Sequence, residues 1–240
     1  MHTHIKIERA AAMSKSVVVI SGGLGSPSSS SLLGRQIGES IAVKLSSEGV
    51  QADVSNIELR EHASDITNNM LTGFAAPGLQ RVIDAVINAD VLVAVTPVFT
   101  ASISGLFKSF LDILDPKSMD GKPVVLAATA GTQRHQLAID YAMRPIFSYL
   151  RANVMPTSVF AASEDFGGQG IAGTLAERAR RAAGEVLLAL GAFDGRFEAD
   201  AALGDTRSIA PSVSEFADPN DEMTSLPFEE LLANVKASGG

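Results

Sequence analysis

The 240-residue chain has no cysteine and no tryptophan, and only two tyrosines. Without thiols it can form no disulfide, no thiolate nucleophile and no cysteine-bound metal site. Its four histidines, His2, His4, His62 and His135, are scattered without metal-ligand spacing. No apolar run reaches the roughly 20 residues that a membrane-spanning helix needs, and no secretory signal is present. The expected location is therefore the cytoplasm, with no membrane partner. No basic stripe is available to neutralise phosphates, so nucleic acid is not an expected partner. Charge is also short where a core would sit. Of the formal −8, ten acids against Arg196, Arg207 and Lys236 place −7 in residues 194–240, leaving about −1 for the rest.

What is present is an apolar content of 46%, enough for one full core. The expected division is a flexible leader over residues 1–15, a single domain over 16–193, and an acidic tail over 194–240. Within the tail only Leu226-Pro227-Phe228-Glu229-Glu230-Leu231-Leu232 is amphipathic.

The chain is organised around its first apolar stretch. Ser16–Ser21 is short, rich in valine and without alternation, which suits a strand buried on both faces. Gly22, Gly23 and Gly25 break it, and Pro27 with Ser28, Ser29, Ser30 and Ser31 opens a helix. Strand, small-residue loop and helix start together make an anion site, because unpaired backbone N–H groups and the helix dipole favour negative charge. No Gly-Lys-Ser/Thr closes a P-loop, and Ser28 stands where a dinucleotide fingerprint needs its third glycine. Hydroxyls at Ser26 and Ser28 to Ser31 suit a terminal phosphate monoester. The alternative is an ordinary helix start with one serine as its cap.

Strands and helices then alternate. The first helix is expected over Leu32–Glu48, with Ile37, Ile41 and Leu45 four apart, and Gly49 stops it. Val50–Leu59 reads as an edge strand and His62–Ala76 as a loop. Leu79, Val82, Ile83, Val86 and Ile87 form a helical stripe. Asp90–Thr96 is the third strand, and Ser104 caps a helix carrying Phe107, Phe110, Leu111 and Leu114. Val124–Thr129 is the fourth strand. Gln133–Leu150 is helical with a kink or break at Pro145, Val154–Ala161 is the fifth strand, and Leu175–Leu190 is the last helix. The run Gly167-Gly168-Gln169-Gly170 reads as a lid loop.

Five strands separated by helices imply an α/β, three-layer sandwich with a five-stranded parallel sheet. The expected order is 2-1-3-4-5, the flavodoxin-like arrangement. Its switch point lies between the first and third strands, so the serine loop and the Thr96–Ser104 loop meet where such sheets bind ligands.

Three stretches carry a family resemblance across about Ser16 to Gly191. Beside the serine loop, Thr96-Pro97-Val98-Phe99-Thr100-Ala101-Ser102-Ile103-Ser104-Gly105-Leu106-Phe107-Lys108, with Asp112 beyond, resembles the flavin loop of NADPH-dependent FMN reductases. Ala128-Thr129-Ala130-Gly131-Thr132-Gln133-Arg134-His135, continuing through Asp140-Tyr141-Ala142-Met143-Arg144-Pro145, is similar to the sulfonate-utilisation branch. Members of that branch deliver reduced FMN to a flavin-dependent monooxygenase. The resemblance implies FMN and NADPH or NADH as ligands, a homodimer or homotetramer, and hydride transfer from nicotinamide C4 to flavin N5.

Such chemistry needs positioning and no obligatory side-chain base, so no catalytic residue is assigned. In this reading Ser26, Ser28, Ser29, Ser30 and Ser31 hold the phosphate. Pro97, Val98, Phe99, Thr100 and Ser102 run along the ring, and Ala130, Gly131 and Thr132 approach its pyrimidine end. His135 either caps the following helix or faces the nicotinamide. Phe107, Phe110, Leu111 and Leu114 cover more than one side of their helix, from which a subunit interface bordering the flavin is expected. Two rivals stay open: an FMN-retaining quinone or azo reductase, and a flavin electron carrier with no dinucleotide site. Carriers usually cover the ring with aromatics, and the scarcity of tryptophan and tyrosine argues for an open flavin face.

Overall fold

The unalternating run after Lys15 becomes a strand with both faces covered. In the computed structural model, which describes residues 14–166 and 172–193, this strand is β1, Lys15–Ser21. Its odd residues Val17 and Val19 face one core, and its even residues Val18 and Ile20 face another. Strand periodicity thus splits one sequence run between the two sides of a sheet.

The first core lies against α1 (Ser29–Ser47) and α6 (Ala172–Phe193). Leu33, Ile37, Ile41 and Leu45 recur four apart along α1 and are at most 1% exposed. Burial of each contributes about 1.5–3 kcal/mol relative to exposure. The second core lies against α3 (Pro77–Asn88), α4 (Gly105–Asp112) and α5 (Arg144–Tyr149), through side chains such as Leu79, Val86, Phe107, Phe110 and Phe147. Two helical layers around one sheet make the three-layer sandwich.

The sheet runs β2 (Ala52–Glu58), β1, β3 (Val91–Phe99), β5 (Pro123–Ala130), then β6 (Asn153–Val154) and β7 (Val159–Ala162), which both pair with β5. All these pairs are parallel. In positions across the sheet this is the order 2-1-3-4-5, with the fifth position shared by two short strands. The small β4 (Ser102–Ile103) pairs antiparallel with the end of β3, placing Phe99 opposite Ser102.

Several local expectations are corrected. The single fifth strand is interrupted at Pro156, which has no N–H for the ladder. Glu185 from α6 takes up the polar groups of the break, accepting bonds from the Thr157 backbone N–H at 2.8 Å and the Thr157 hydroxyl at 2.6 Å. Residues 62–76 are not all loop: α2 spans Ala63–Thr72, anchored by fully buried Ile66 and ended by Gly73 in the left-handed region at φ 76°. Its low apolar count hid it.

The stretch from Gln133 is not one helix either. A short 3-10 turn at Gln133–His135 leads to a π-helical turn at Ile139–Met143 and then α5, whose second residue is Pro145. Finally, Phe107, Phe110, Leu111 and Leu114 are all at most 5% exposed and belong to the chain's own core. The chain itself covers these four side chains, so they do not form the exposed apolar face that the interface expectation rested on. The leader, the Gly167–Gly170 run, the acidic tail and Leu226–Leu232 lie outside the described residues, apart from Ser14 and the start of β1 at Lys15.

Candidate functional site

Parallel register brings three loops to one edge of the sheet. Ser21 is level with Val95, and Pro97 with Thr129, so the chain leaves β1, β3 and β5 side by side at their carboxyl ends. Ser104 ties the first two loops together. Its hydroxyl donates to the Gly22 carbonyl at 3.1 Å and accepts from the Phe107 N–H at 3.2 Å, capping α4, while its own N–H donates to Thr96 Oγ1 at 3.0 Å. The cap is buried, and it sets the height of the β3–α4 loop against the serine loop.

The serine loop is narrow because it lacks side chains where it turns. A Cβ on Gly23 would stand 2.2 Å from Ser28 Oγ, inside any permissible contact. That hydroxyl is the N-cap of α1, accepting from the Ser31 N–H at 3.2 Å. The remaining serines divide by environment. Ser30 is 2% exposed and shares a 2.7 Å hydrogen bond with Thr129 Oγ1, which joins the first loop to the third. Ser31 is also buried and donates to Glu58 Oε1 at 2.8 Å. Ser26 and Ser29 are exposed, and Ser28 is half-buried.

Between the loops lies a hollow of about 250 Å³. The serine loop forms one wall, with Gly23 and Ser28 to Ser30. Pro97, Val98 and Phe99 form a second, Thr129, Ala130 and Gly131 a third, and Ser163 and Phe166 stand beyond β7. Of the residues singled out from sequence, Ser26, Ser31, Thr100, Ser102, Thr132 and His135 do not line it; Ser26 and Ser31 line the hollow beside it. Thr100 and Ala101 make the turn between β3 and β4, at φ 49° and 63°, the paired left-handed conformation of a tight hairpin. Ser102 is exposed, Thr132 accepts from the Arg134 N–H at 3.4 Å, and His135 sits half-buried in the 3-10 turn that follows. A larger cavity of about 560 Å³ between α1 and α6, lined by apolar side chains together with Gln36, Glu39, Ser40, Asp165 and Arg180, includes no residue of the β3 and β5 loops.

A second hollow, about 410 Å³, adjoins the first across Pro27, Ser28, Ser29 and Phe166. Here the structure supplies what sequence reading missed. The serine loop itself has no lysine or arginine between Gly22 and Leu33, but Arg35 and Arg60 line this hollow. Glu58, level with Ser21 at the end of β2, organises them. Its Oε2 accepts from Arg60 Nε at 2.7 Å, Arg35 Nη2 lies 3.7 Å from Oε1, and Arg60 Nη1 donates to the Gly25 carbonyl at 3.2 Å. The hydroxyl of Ser31, with support from both guanidiniums, holds the Glu58 carboxyl below its ordinary value near 4.5. Glu58, Arg60 and Phe166 had no signal in a linear motif, because strand register and chain return bring them to the loop; Thr129 lay within the third motif, but nothing in it pointed to its bond with Ser30.

The family model of NADPH-dependent FMN reductase matches residues 16–167. The NADH-dependent FMN reductase SfnF of Pseudomonas putida is 37% identical over 150 residues, 62% of this chain and 78% of that protein. An FMN reductase (NADPH) of Pseudomonas aeruginosa is 34% identical over 154 residues, with the same shares of each chain. Among solved structures, an oxidoreductase from Corynebacterium diphtheriae shares 45% identity, covers 73% of this chain and 96% of its own, and superposes with a TM-score of 0.70. The sheet order, the three converging loops and this similarity agree: the chain belongs to the NADPH-dependent FMN reductase family, whose activity is NAD(P)H-dependent reduction of FMN.

Proposed function

We propose that this reductase binds FMN as an exchangeable substrate in the three-loop hollow and releases it, reduced, to a flavin-dependent monooxygenase. The residues fit the group. A phosphate dianion needs many donors in a small space, and the start of α1 offers backbone N–H groups beside the hydroxyls of Ser28 and Ser29. Gly23 keeps the cradle open, since any Cβ there would meet Ser28. Pro97, Val98 and Phe99 offer a flat, mostly apolar edge to a ring, and Gly131 has nothing within 4 Å of its would-be Cβ, so its backbone is approachable.

Bound FMN supplies a hydride acceptor and the nicotinamide supplies the hydride; the protein contributes alignment. Ser28 and Ser29 anchor the phosphate end, Ser30 with Thr129 keeps the first and third loops in register, and Phe99 packs against the ring edge. The single observation that carries the exchangeable reading is the make-up of the two ring-side walls: beside Phe99 they are Pro97, Val98, Thr129, Ala130 and Gly131, with no second aromatic on them to close over the ring. Phe166, the second aromatic of the lining, also borders the outer hollow and so stands at the serine-loop end.

A homodimer or homotetramer is part of this proposal. Met70, Leu71 and Phe74 around the end of α2 are 51%, 80% and 81% exposed, an apolar group of the kind subunit contacts cover. Purified protein passed through flavin-free gel filtration tests the reading. It should emerge colourless, and its NAD(P)H oxidation should then rise with added FMN and saturate. Yellow protein with stoichiometric flavin and no response to added FMN would favour a flavin-retaining quinone or azo reductase.

A further inference from the structure

We propose that the outer hollow is a phosphate-monoester site in which Arg60 is the cationic ligand and Glu58 is the residue that positions it. The proposal rests on the FMN-reductase reading for the identity of its ligands. The observation behind it is a cation built into place. Arg60 follows β2 at the sheet edge and is held at two points, by Glu58 Oε2 through Nε and by the Gly25 carbonyl through Nη1. Those bonds leave Nη2 outside them. A guanidinium fixed in this way has lost much of its side-chain freedom before any ligand arrives, and its planar fork suits phosphate oxygens.

The surroundings agree in sign and chemistry. The lining brings the hydroxyls of Ser26, Ser28 and Ser29 together with Arg35 and Arg60. Glu58 is the one acid among the lining residues, and its side chain is only 17% exposed. Both of its oxygens are occupied, Oε1 by Ser31 and Oε2 by Arg60. Two guanidiniums and one carboxylate sum to a charge of +1. The ion pair sits against four serines, and Arg60 is tied to the loop that carries them through the Gly25 carbonyl. The shared wall of Ser28 and Ser29 puts this cation next to the flavin hollow.

Two ligands of this enzyme carry a phosphate monoester: FMN at its 5′ position, and NADPH at the 2′ position that distinguishes it from NADH. The experiment separates them. Dissociation constants of the full chain are measured for FMN against riboflavin by flavin fluorescence, and for adenosine 2′-monophosphate against adenosine by calorimetry. Arg60→Ala should reduce one of these two preferences roughly tenfold while riboflavin and adenosine bind as before. Arg60→Lys, which keeps a charge without the fork, should retain part of the preference. Glu58→Gln should weaken the same preference as Arg60→Ala and leave the other alone.

A loss confined to the flavin pair assigns the hollow to the FMN phosphate, and one confined to the adenosine pair assigns it to the dinucleotide. If both preferences survive in Arg60→Ala, or if riboflavin and adenosine binding fall as much as that of their phosphates, the proposal is overturned. A wild-type chain that binds neither flavin would refute the reductase reading instead, and the adenosine pair would still decide the hollow.

Discussion

The two ends of this sheet are built from the same strands and treat polar groups in opposite ways. At the amino end, Lys15 Nζ lies 3.3 Å from Asp90 Oδ1, and Asp90 Oδ2 accepts from the Ser16 N–H at 2.8 Å. Lys122 donates to the carbonyls of Ile87 and Ala89 at 2.8 and 2.5 Å. Both lysines are at most 9% exposed. Burial pushes the Lys122 ammonium below its usual value, with Asp90 opposing. These charges are spent on closing the fold. At the carboxyl end the side chains are small, the one strong carboxylate is matched to two arginines, and hydroxyls at Ser26 and Ser29 remain exposed. Strand direction explains the contrast. Helix N-termini gather where parallel strands end, so that edge presents unpaired N–H groups, and the opposite edge presents carbonyls that cations can satisfy.

The comparison can be broken by perturbing one end and measuring the other. The largest effect is expected from Gly23→Ala. Its Cβ would displace Ser28 Oγ, undoing the α1 cap and the proposed phosphate contact together, so FMN affinity should fall about a hundredfold. Fluorescence titration with FMN and riboflavin would read it, and unchanged FMN binding would remove the cradle from the argument. Next, Lys122→Met should leave two buried carbonyls without their donor and cost about 1–3 kcal/mol of stability, with the FMN dissociation constant unmoved. Urea unfolding together with flavin titration checks both halves. A large change in flavin affinity would mean that the two ends are coupled.

Ser28→Ala sharpens the other side. It should weaken FMN by about tenfold and riboflavin hardly at all, with a stability loss near ~1 kcal/mol from the lost cap. Equal weakening of the two flavins would assign Ser28 a purely structural role. The smallest effect is a pH dependence. Glu58 has a folded-state value below its unfolded one, so its contribution to stability is present above about pH 4.5 and is lost as pH falls through the folded value. Melting temperatures from about pH 7 down to about pH 3 should therefore drop less steeply at the acid end in Glu58→Gln than in the parent chain. Parallel curves would show that the carboxylate gains nothing from Ser31 and Arg60.

Much of this was legible in one dimension because its physical cause is local. The valine run of β1 has no polar alternation, so it had to be buried on both faces, and the four-residue spacing of Ile37, Ile41 and Leu45 had to be one face of a helix. Alternation of strands and helices then left few topologies, and the observed order is the one expected. Elements failed where tertiary partners decide. Ala63–Thr72 is a helix largely because Ile66 finds a pocket, although its composition reads as loop. The break at Pro156 is tolerable because Glu185, twenty-nine residues on, satisfies Thr157. Phe107, Phe110, Leu111 and Leu114 looked too many for one face, yet helix and sheet surround α4 on enough sides to bury all four.

The candidate site divides in the same way. Glycines and serines after a buried strand mark the loop proposed to hold the phosphate, since the need for a close turn and for donors is met by neighbours in the chain. Which serine does what is another matter. Ser30 is committed to Thr129, ninety-nine residues away, and Ser31 to Glu58, twenty-seven away. The arginines that the loop lacks arrive from α1 and from the end of β2. Backbone preference and hydrophobic period act over a few residues and can be read along the chain. Hydrogen-bond partners and charge balance depend on strand register, which exists only once the sheet has formed.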